Sequence, residues 1–489
     1  MKTAFLTYFL LFLLASCFHS SAQVAYQKMP VEKLEAAYEK YKEPSITHRR
    51  FKHASIQPLI QKHGSEFKLE ELGTSVEGKS ITSMKWGQGG TKVMLWSQMH
   101  GNESTATMAL FDLFNFLEGK NDGYDELRNL LKNQLSLKFI PMINPDGGDA
   151  FKRRNALDID LNRDAISQIS PEAVILKKAR DDFEPEFGFN LHDQQIYYNV
   201  VNTPKQATIS LLAPAYNYET EINEVRGRAM QTIAGMNELL QEFIPGQVGK
   251  YDDAFEPRAF GDNIQKWGTS TILIESGGYP GDTEKQYIRK INFMIILNAL
   301  HQIATRGYEQ YTTEQYFAIP DNGFQLMDLI INEMQVKVKG AWYPLDIAIR
   351  RRETENTAGY FMSASVEDLG DMQIFFGFET LDATGLQYLE GKVFPTAFES
   401  VKDISEEKAI ELLRQGFMAV KVKTGEVRQV HSLPILVLKT TEKYSSGWTT
   451  GAATNFFLAE DGKPRYAIVN GYLIDLENPK KQEIRNRIF

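Results

Sequence analysis

The stretch Val93-Met-Leu-Trp-Ser-Gln-Met-His-Gly-Asn-Glu103 constrains this chain more than any other. Val93 to Trp96 is a short, wholly apolar run, as expected of a central strand covered on both faces. His100 follows on a Gly-Asn turn. Glu103 then opens a helix whose apolar positions run through Met108, Phe111, Phe114 and Leu117. A histidine and a glutamate three residues apart at a strand-to-helix turn can both face one metal ion. The same spacing recurs at His63-Gly-Ser-Glu66, but there it follows a helix and leads into a polar turn, so His63 reads as structural.

The residue inventory limits what such a site can be made of. Cys17 is the only cysteine, so neither a disulfide framework nor a thiolate metal site exists in the body of the chain. Any metal must be held by carboxylates and by some of the eight histidines. A formal net charge of -9 argues against nucleic acid as a partner. With 489 residues, 43% of them hydrophobic and 24% charged, the chain is ordinary globular protein of two or three domains.

The N-terminus reads as an export signal over residues 1–22: Lys2, an unbroken apolar run from Phe5 to Leu14, then Ser20-Ser21-Ala22 before Gln23. Leu14-Ala15-Ser16-Cys17 also resembles a bacterial lipobox, in which Cys17 would carry a lipid anchor. Both readings place the mature protein outside the cytoplasm, periplasmic or secreted. No segment reaches the length of a transmembrane helix.

Strands then alternate with helices. Val31–Tyr41 and Ser55–Lys62 read as helices. Phe67–Leu72, Ser80–Trp86, Lys92–Trp96 and Leu135–Ile140 read as strands, with a helix over Tyr124–Asn133. This alternation predicts a layered α/β sheet whose site lies at the strand C-terminal ends. Phe187-Gly-Phe-Asn-Leu-His192 is another apolar strand ending in histidine. Thr271-Ile-Leu-Ile-Glu275 ends in a carboxylate that is expensive to desolvate unless it is paired or functional. An apolar helix over Asn292–Thr305 closes the region.

Three strand ends thus present His100 with Glu103, then His192, then Glu275. Two imidazoles and one carboxylate leave the fourth tetrahedral position of zinc open, the layout of catalytic rather than structural zinc. A second, unligated carboxylate can act as general base, and the apolar strand end of Glu275 should raise its pKa towards neutrality.

Several ordered motifs resemble those of the zinc carboxypeptidase family over roughly residues 45–305: Gly73-Thr-Ser-Val-Glu-Gly-Lys79, His100-Gly-Asn-Glu103, Asn144-Pro-Asp-Gly147, Arg153-Arg-Asn155, Asp160-Leu-Asn-Arg163, Leu191-His192 and Leu273-Ile-Glu275. The resemblance implies a three-layer αβα mixed-sheet catalytic domain and one Zn2+ per chain held by His100, Glu103 and His192. It implies Glu275 as general base and acid, and Arg153 as the group that polarises the scissile carbonyl. Asn162 and Arg163 would grip the free C-terminal carboxylate of a peptide substrate, and Asp160 would orient the ring of His100. Tyr251 is the candidate for the family's mobile tyrosine. The sequence departs from the pattern at Asn190, where an aspartate is often found, and at Asp193-Gln194.

These expectations divide the chain into a signal peptide (1–22), a catalytic domain (23–312) and a β-rich accessory domain (313–489). In the last, Gln335–Lys339, Phe417–Lys423, Pro434–Leu438 and Ala467–Ile474 read as strands, with one helix over Ser405–Gln415 closed by Gly416. Arg350-Arg-Arg352, followed by Glu353, reads as a paired, solvated strand end. The expected activity is zinc-dependent removal of C-terminal residues from peptides. Two alternatives stay open: a zinc N-acyl amino acid deacylase of the aspartoacylase or desuccinylase type, and a catalytically inactive envelope binding protein.

Overall fold

Strand β3 (Thr91–Ser97) shows how the first half is layered. Its alternate residues Val93 and Leu95 enter one apolar core, with Phe111 and Phe114 of helix α1 (Thr105–Glu118). Met94 and Trp96 enter a second core on the opposite face, with Leu176 and Phe260. A strand apolar on both faces needs helices on both faces, and this produces three layers, αβα. The computed structural model describes residues 26–354, 361–427 and 429–489. The expected signal segment, 1–22, and Cys17 lie outside the described residues.

The central sheet has eight strands. They are β1 (Lys68–Thr74), β2 (Ser80–Gly87), β3, β4 (Leu135–Ile140), β5 (Phe187–Asp193), β6 (Ile209–Leu212), β7 (Val248–Lys250) and β8 (Ser270–Ser276). Their spatial order is β1-β2-β4-β3-β5-β8-β6-β7. The middle of the sheet, β4-β3-β5-β8, is parallel, and antiparallel strands flank it. Helices α2 (Glu224–Phe243) and α3 (Gln286–Thr305) pack with α1 on one face. Helices Pro171–Phe183 and Phe260–Lys266 cover the other.

The second half is mostly antiparallel. Strands β9 (Leu326–Val338), β10 (Ala341–Glu353), β11 (Met362–Leu369), β12 (Phe376–Asp382), β13 (Gln387–Glu390), β14 (Asn455–Glu460), β15 (Lys463–Val469) and β16 (Tyr472–Asp475) form a second eight-stranded sheet, in which β12 runs parallel to β9. A small parallel sheet of Lys392–Val393, Phe417–Val422 and Leu436–Lys439 is covered by the helix Glu406–Arg414. No helix among the described residues is long and apolar enough to cross a membrane.

The structure shifts several expected boundaries. The helix expected from Asn292 begins at Gln286, and the 20-residue helix α2 was not legible in the sequence pattern at all. Ala467–Ile474 is not one strand but two, joined at Asn470-Gly471, where both residues have φ near +47° and +77°. An Asn-Gly pair with left-handed backbone is the preferred two-residue hairpin turn. The helix Thr313–Phe317 packs against the first half, with Tyr316 buried in its core, so the second sheet starts at Leu326, later than residue 313.

Candidate metal centre and cleft

Parallel pairing sets the site. Registering β5 against β8 places His192 directly beside Glu275 at the C-terminal ends of two adjacent strands. Beyond β3 the chain turns at Gln98, whose φ of 53° is left-handed, and brings His100 to the same end of the sheet. The turn needs glycine next: a Cβ on Gly101 would lie 1.9 Å from the backbone carbon of Gly147. The Asn144-Pro-Asp-Gly loop and the His-Gly-Asn-Glu turn therefore pack backbone to backbone, which explains why both motifs carry glycine. Glu103 lies just ahead of α1, not within it as expected, because Ser104 occupies the cap position.

His100, Glu103 and His192 are all buried, and one ligand atom from each lies within 4.8 Å of the others. His100 Nδ1 is 2.8 Å from Glu103 Oε1, and His192 Nδ1 is 2.7 Å from Glu103 Oε2. The two Nδ1 atoms are 3.1 Å apart. On the far side of the ring, His100 Nε2 donates to Asp160 Oδ1 at 3.0 Å. A carboxylate only accepts, so this bond puts the proton of a neutral His100 on Nε2 and leaves the Nδ1 lone pair facing Glu103. Convergent lone pairs from two imidazoles and one buried carboxylate are the donor set that suits zinc, so these residues fit the ion. His192 Nε2 is buried and has no hydrogen-bond partner among the described residues, so the two rings are supported differently.

Charges around this cluster are strongly coupled. Burial pushes the Glu103 carboxyl up, but the charges and hydrogen bonds of His100 and His192 outweigh it and hold it well below the usual carboxylate range. Asp160 behaves likewise: burial raises it, while His100, Arg153 and Arg163 bring it far down. Glu275 goes the other way. Burial, then the charges of Glu103 and Asp193, lift it well above an ordinary glutamate.

The remaining expected residues surround one cleft of about 1340 Å³, lined by His100, Glu103, Arg153, Asn162, Arg163, Tyr251 and Glu275. Arg153 donates from Nη1 to Glu103 Oε1 at 3.0 Å and from Nε to Asp160 Oδ2 at 3.1 Å. Asn162 Oδ1 accepts from the Phe260 amide at 2.8 Å. Arg163 Nε lies 3.3 Å from Glu256 Oε2. The Tyr251 hydroxyl is 3.2 Å from that of Tyr198, and its pKa is raised by burial and then by the charge of Glu275. The decoy His63 is fully buried among Phe67, Phe111 and Phe114, away from the cluster.

Sequence reasoning missed two parts of the site. The first is Lys285, buried, which donates to Asp193 Oδ2 at 3.1 Å and to the Ser276 carbonyl at 2.8 Å. The departure at Asp193 was its only signal, because Lys285 lies in a loop far along the chain. The second is the opposite wall of the cleft, which includes Phe324, Asp328, Arg350, Arg351, Arg352, Glu353, Phe378 and Tyr472 from the C-terminal half. The reading of Arg350-Arg-Arg352 as a paired, solvated strand end holds for Arg352, which is exposed and pairs with Glu367, and is corrected for Arg350 and Arg351. Arg350 is buried, its guanidinium 4.1 Å from the centre of the Phe324 ring. Arg351 donates from Nε to Asp328 Oδ1 at 2.9 Å, and the Tyr197 hydroxyl donates to Asp328 Oδ2 at 2.6 Å. Glu353 pairs not with its neighbours but with Arg49 and Arg50 from the first half. Strand residues that face a second domain look, in sequence, like residues that face water.

Residues 53–206 match the zinc carboxypeptidase family. This segment carries that family's pattern. It holds His100, Glu103, Arg153, Asp160, Asn162, Arg163 and His192, whereas Tyr251 and Glu275 lie beyond it. An uncharacterized protein of Zymomonas mobilis is 28% identical over 147 residues, which is 29% of this chain and 37% of that protein. Carboxypeptidase SOL1 of Arabidopsis thaliana is 36% identical over 75 residues, 15% of each. The chain thus spans little more than a third of the first of these curated relatives. Among solved structures, a metallo-carboxypeptidase from Pseudomonas aeruginosa, in complex with (2-guanidinoethylmercapto)succinic acid, is similar at 17% identity, with 52% of this chain and 70% of that one covered and a TM-score of 0.41.

Proposed function

We propose that this protein is an exported zinc metallocarboxypeptidase that removes C-terminal residues from peptides. The observation that carries this reading is the convergence of His100 Nδ1, His192 Nδ1 and the Glu103 carboxylate, with Asp160 behind His100 and Glu275 alongside in one large cleft. Zinc held by His100, Glu103 and His192 would supply Lewis acidity, polarising a carbonyl and acidifying water.

The chain's own groups would do the rest. Glu275 takes a proton from the attacking water and returns it to the leaving amine. Burial lifts its carboxyl above an ordinary glutamate, which makes it a stronger base towards that water. Arg153, fixed by Asp160 and Glu103, presents a guanidinium where charge develops on the carbonyl oxygen. Arg163 and Asn162 hold the terminal carboxylate, with Arg163 exchanging Glu256 for the substrate. The Tyr251 hydroxyl closes over the same space from the Tyr198 side. Export rests on the apolar run before Ala22, and lipid attachment at Cys17 is decided by mass spectrometry of the mature N-terminus.

A mass-spectrometric digest of a peptide library containing N-acyl amino acids tests the activity. Release of single C-terminal residues, abolished by C-terminal amidation, is the expected result. Cleavage confined to N-acyl amino acids would make the protein a deacylase. No zinc-dependent cleavage of either class would leave an inactive binding protein.

A further inference from the structure

The cleft is larger than bond cleavage alone requires, since small-ligand pockets run to about 300–1,000 Å³ and this one reaches about 1340 Å³. Part of its lining comes from the C-terminal half. Two phenyl rings are left open there: Phe324, on the connection into β9, is 38% exposed, and Phe378, on β12, is 41% exposed. Ile196, 37% exposed, joins them from the loop after β5. All three line the cleft.

These rings are not loose surface groups. Phe324 is backed by the Arg350 guanidinium and by the Tyr198 ring at 4.9 Å between centres. Arg350 is itself fixed, donating from Nε to the Leu326 carbonyl at 3.1 Å and from Nη1 to Glu367 Oε1 at 3.1 Å. Phe378 stacks on Tyr197 at 6.3 Å with 27° between planes, and Tyr197 is held by Asp328. The backs of the rings are pinned and their fronts face the cleft. A rigid apolar surface costs little entropy to use and gains free energy when covered.

Resting on the carboxypeptidase reading, we propose that Ile196, Phe324 and Phe378 form an apolar subsite. It takes an aromatic or large aliphatic side chain of the peptide, upstream of the residue that precedes the scissile bond. The occupant is the substrate because the platform is continuous with the catalytic cleft: Tyr198, which backs Phe324, also contacts the Tyr251 hydroxyl. The C-terminal half is then a specificity element, not only a buttress.

The test uses full-length, zinc-loaded protein and a series of acetylated hexapeptides in which a single phenylalanine replaces glycine at each upstream position. An acetylated dipeptide, with no residue beyond the one before the scissile bond, is the control. At one position phenylalanine should lower KM about five- to tenfold, with kcat unchanged. Phe378→Ala should erase that gain, Phe378→Leu should keep most of it, and the dipeptide should respond to neither. The same preference should appear as binding to the Glu275→Gln protein by calorimetry. Absence of any positional preference, or its survival in both Phe378→Ala and Phe324→Ala, overturns the subsite. Platform-dependent binding without cleavage would support the subsite and sink the carboxypeptidase reading. Cleavage indifferent to both rings would sink the subsite alone.

Discussion

The two sides of the cleft are built by different means. The metal side is delivered near the ends of parallel strands: His192 and Glu275 are partners one pair before the end of the β5–β8 register, and His100 follows β3. The opposite wall is delivered by strand faces, with Arg350, Arg351 and Arg352 in the middle of the β10–β11 pairing. At a strand end the chain leaves the ladder and is free to place several consecutive residues in one site. On a strand face alternate residues point to opposite sides, so a functional surface is assembled from separate strands. The metal side can therefore be written as compact motifs, and the wall cannot.

The sharpest way to break the comparison is at Glu275. Glu275→Gln keeps the shape but cannot accept a proton, and turnover should fall about 10²–10⁴-fold with zinc content unchanged. Wild-type turnover in that variant would remove Glu275 from the chemistry. Glu103→Ala should instead lose the zinc, as measured by metal analysis of the purified protein. Because burial and the charges of Glu103 and Asp193 raise Glu275, the acidic limb of kcat/KM should lie above the ordinary glutamate range, with activity rising as pH increases through it.

This contrast also explains what was legible. His192 and Glu275 were readable because each comes at the end of an apolar strand, where a polar residue stands out, and His100 and Glu103 because they sit between an apolar strand and an apolar helix. The layered sheet was readable because Val93–Trp96 is apolar at every position and Phe187–Leu191 at all but Asn190. The wall was hidden because burial of Arg350 depends on Phe324 and Tyr197 from distant segments. Lys285 was hidden for the same reason. Helix α2 gave no clear stripe because it is buried on several sides, with even Arg226 enclosed at its first turn.

The wall should matter for stability as much as the metal side matters for chemistry. Asp328 is buried and accepts from Tyr197, from the Arg351 amide and from the Arg351 guanidinium. Asp328→Ala strands the Arg351 cation and should cost about 3–5 kcal/mol, seen as a lower or split melting transition. A melting profile identical to wild type would show that the two halves do not depend on this joint. On the metal side, Asp160→Asn should weaken zinc affinity about 10–100-fold by loosening the hold on His100, measured by competition with a chelator.

The smallest effect separates buried acids on the two sides by sign. On the metal side, burial pushes the Asp262 carboxyl up to about 7. Its folded value then lies above the ordinary unfolded value of about 3.9, so the stability it contributes is full below about pH 4 and drains away as pH rises to 7. On the wall, Glu353 is also raised by burial, but Arg49 and Arg50 outweigh this and hold it below its ordinary value. Its contribution is present near neutrality and is lost on acidification. Asp262→Asn should therefore stabilise the protein by about 1–2 kcal/mol at pH 8, with little effect at pH 4. Glu353→Gln should destabilise it at pH 8, with a penalty that shrinks towards low pH. Melting temperatures of both variants and the parent across pH 4–8 decide the matter: curves that move in the same direction would mean that Arg49 and Arg50 do not set Glu353 apart from Asp262.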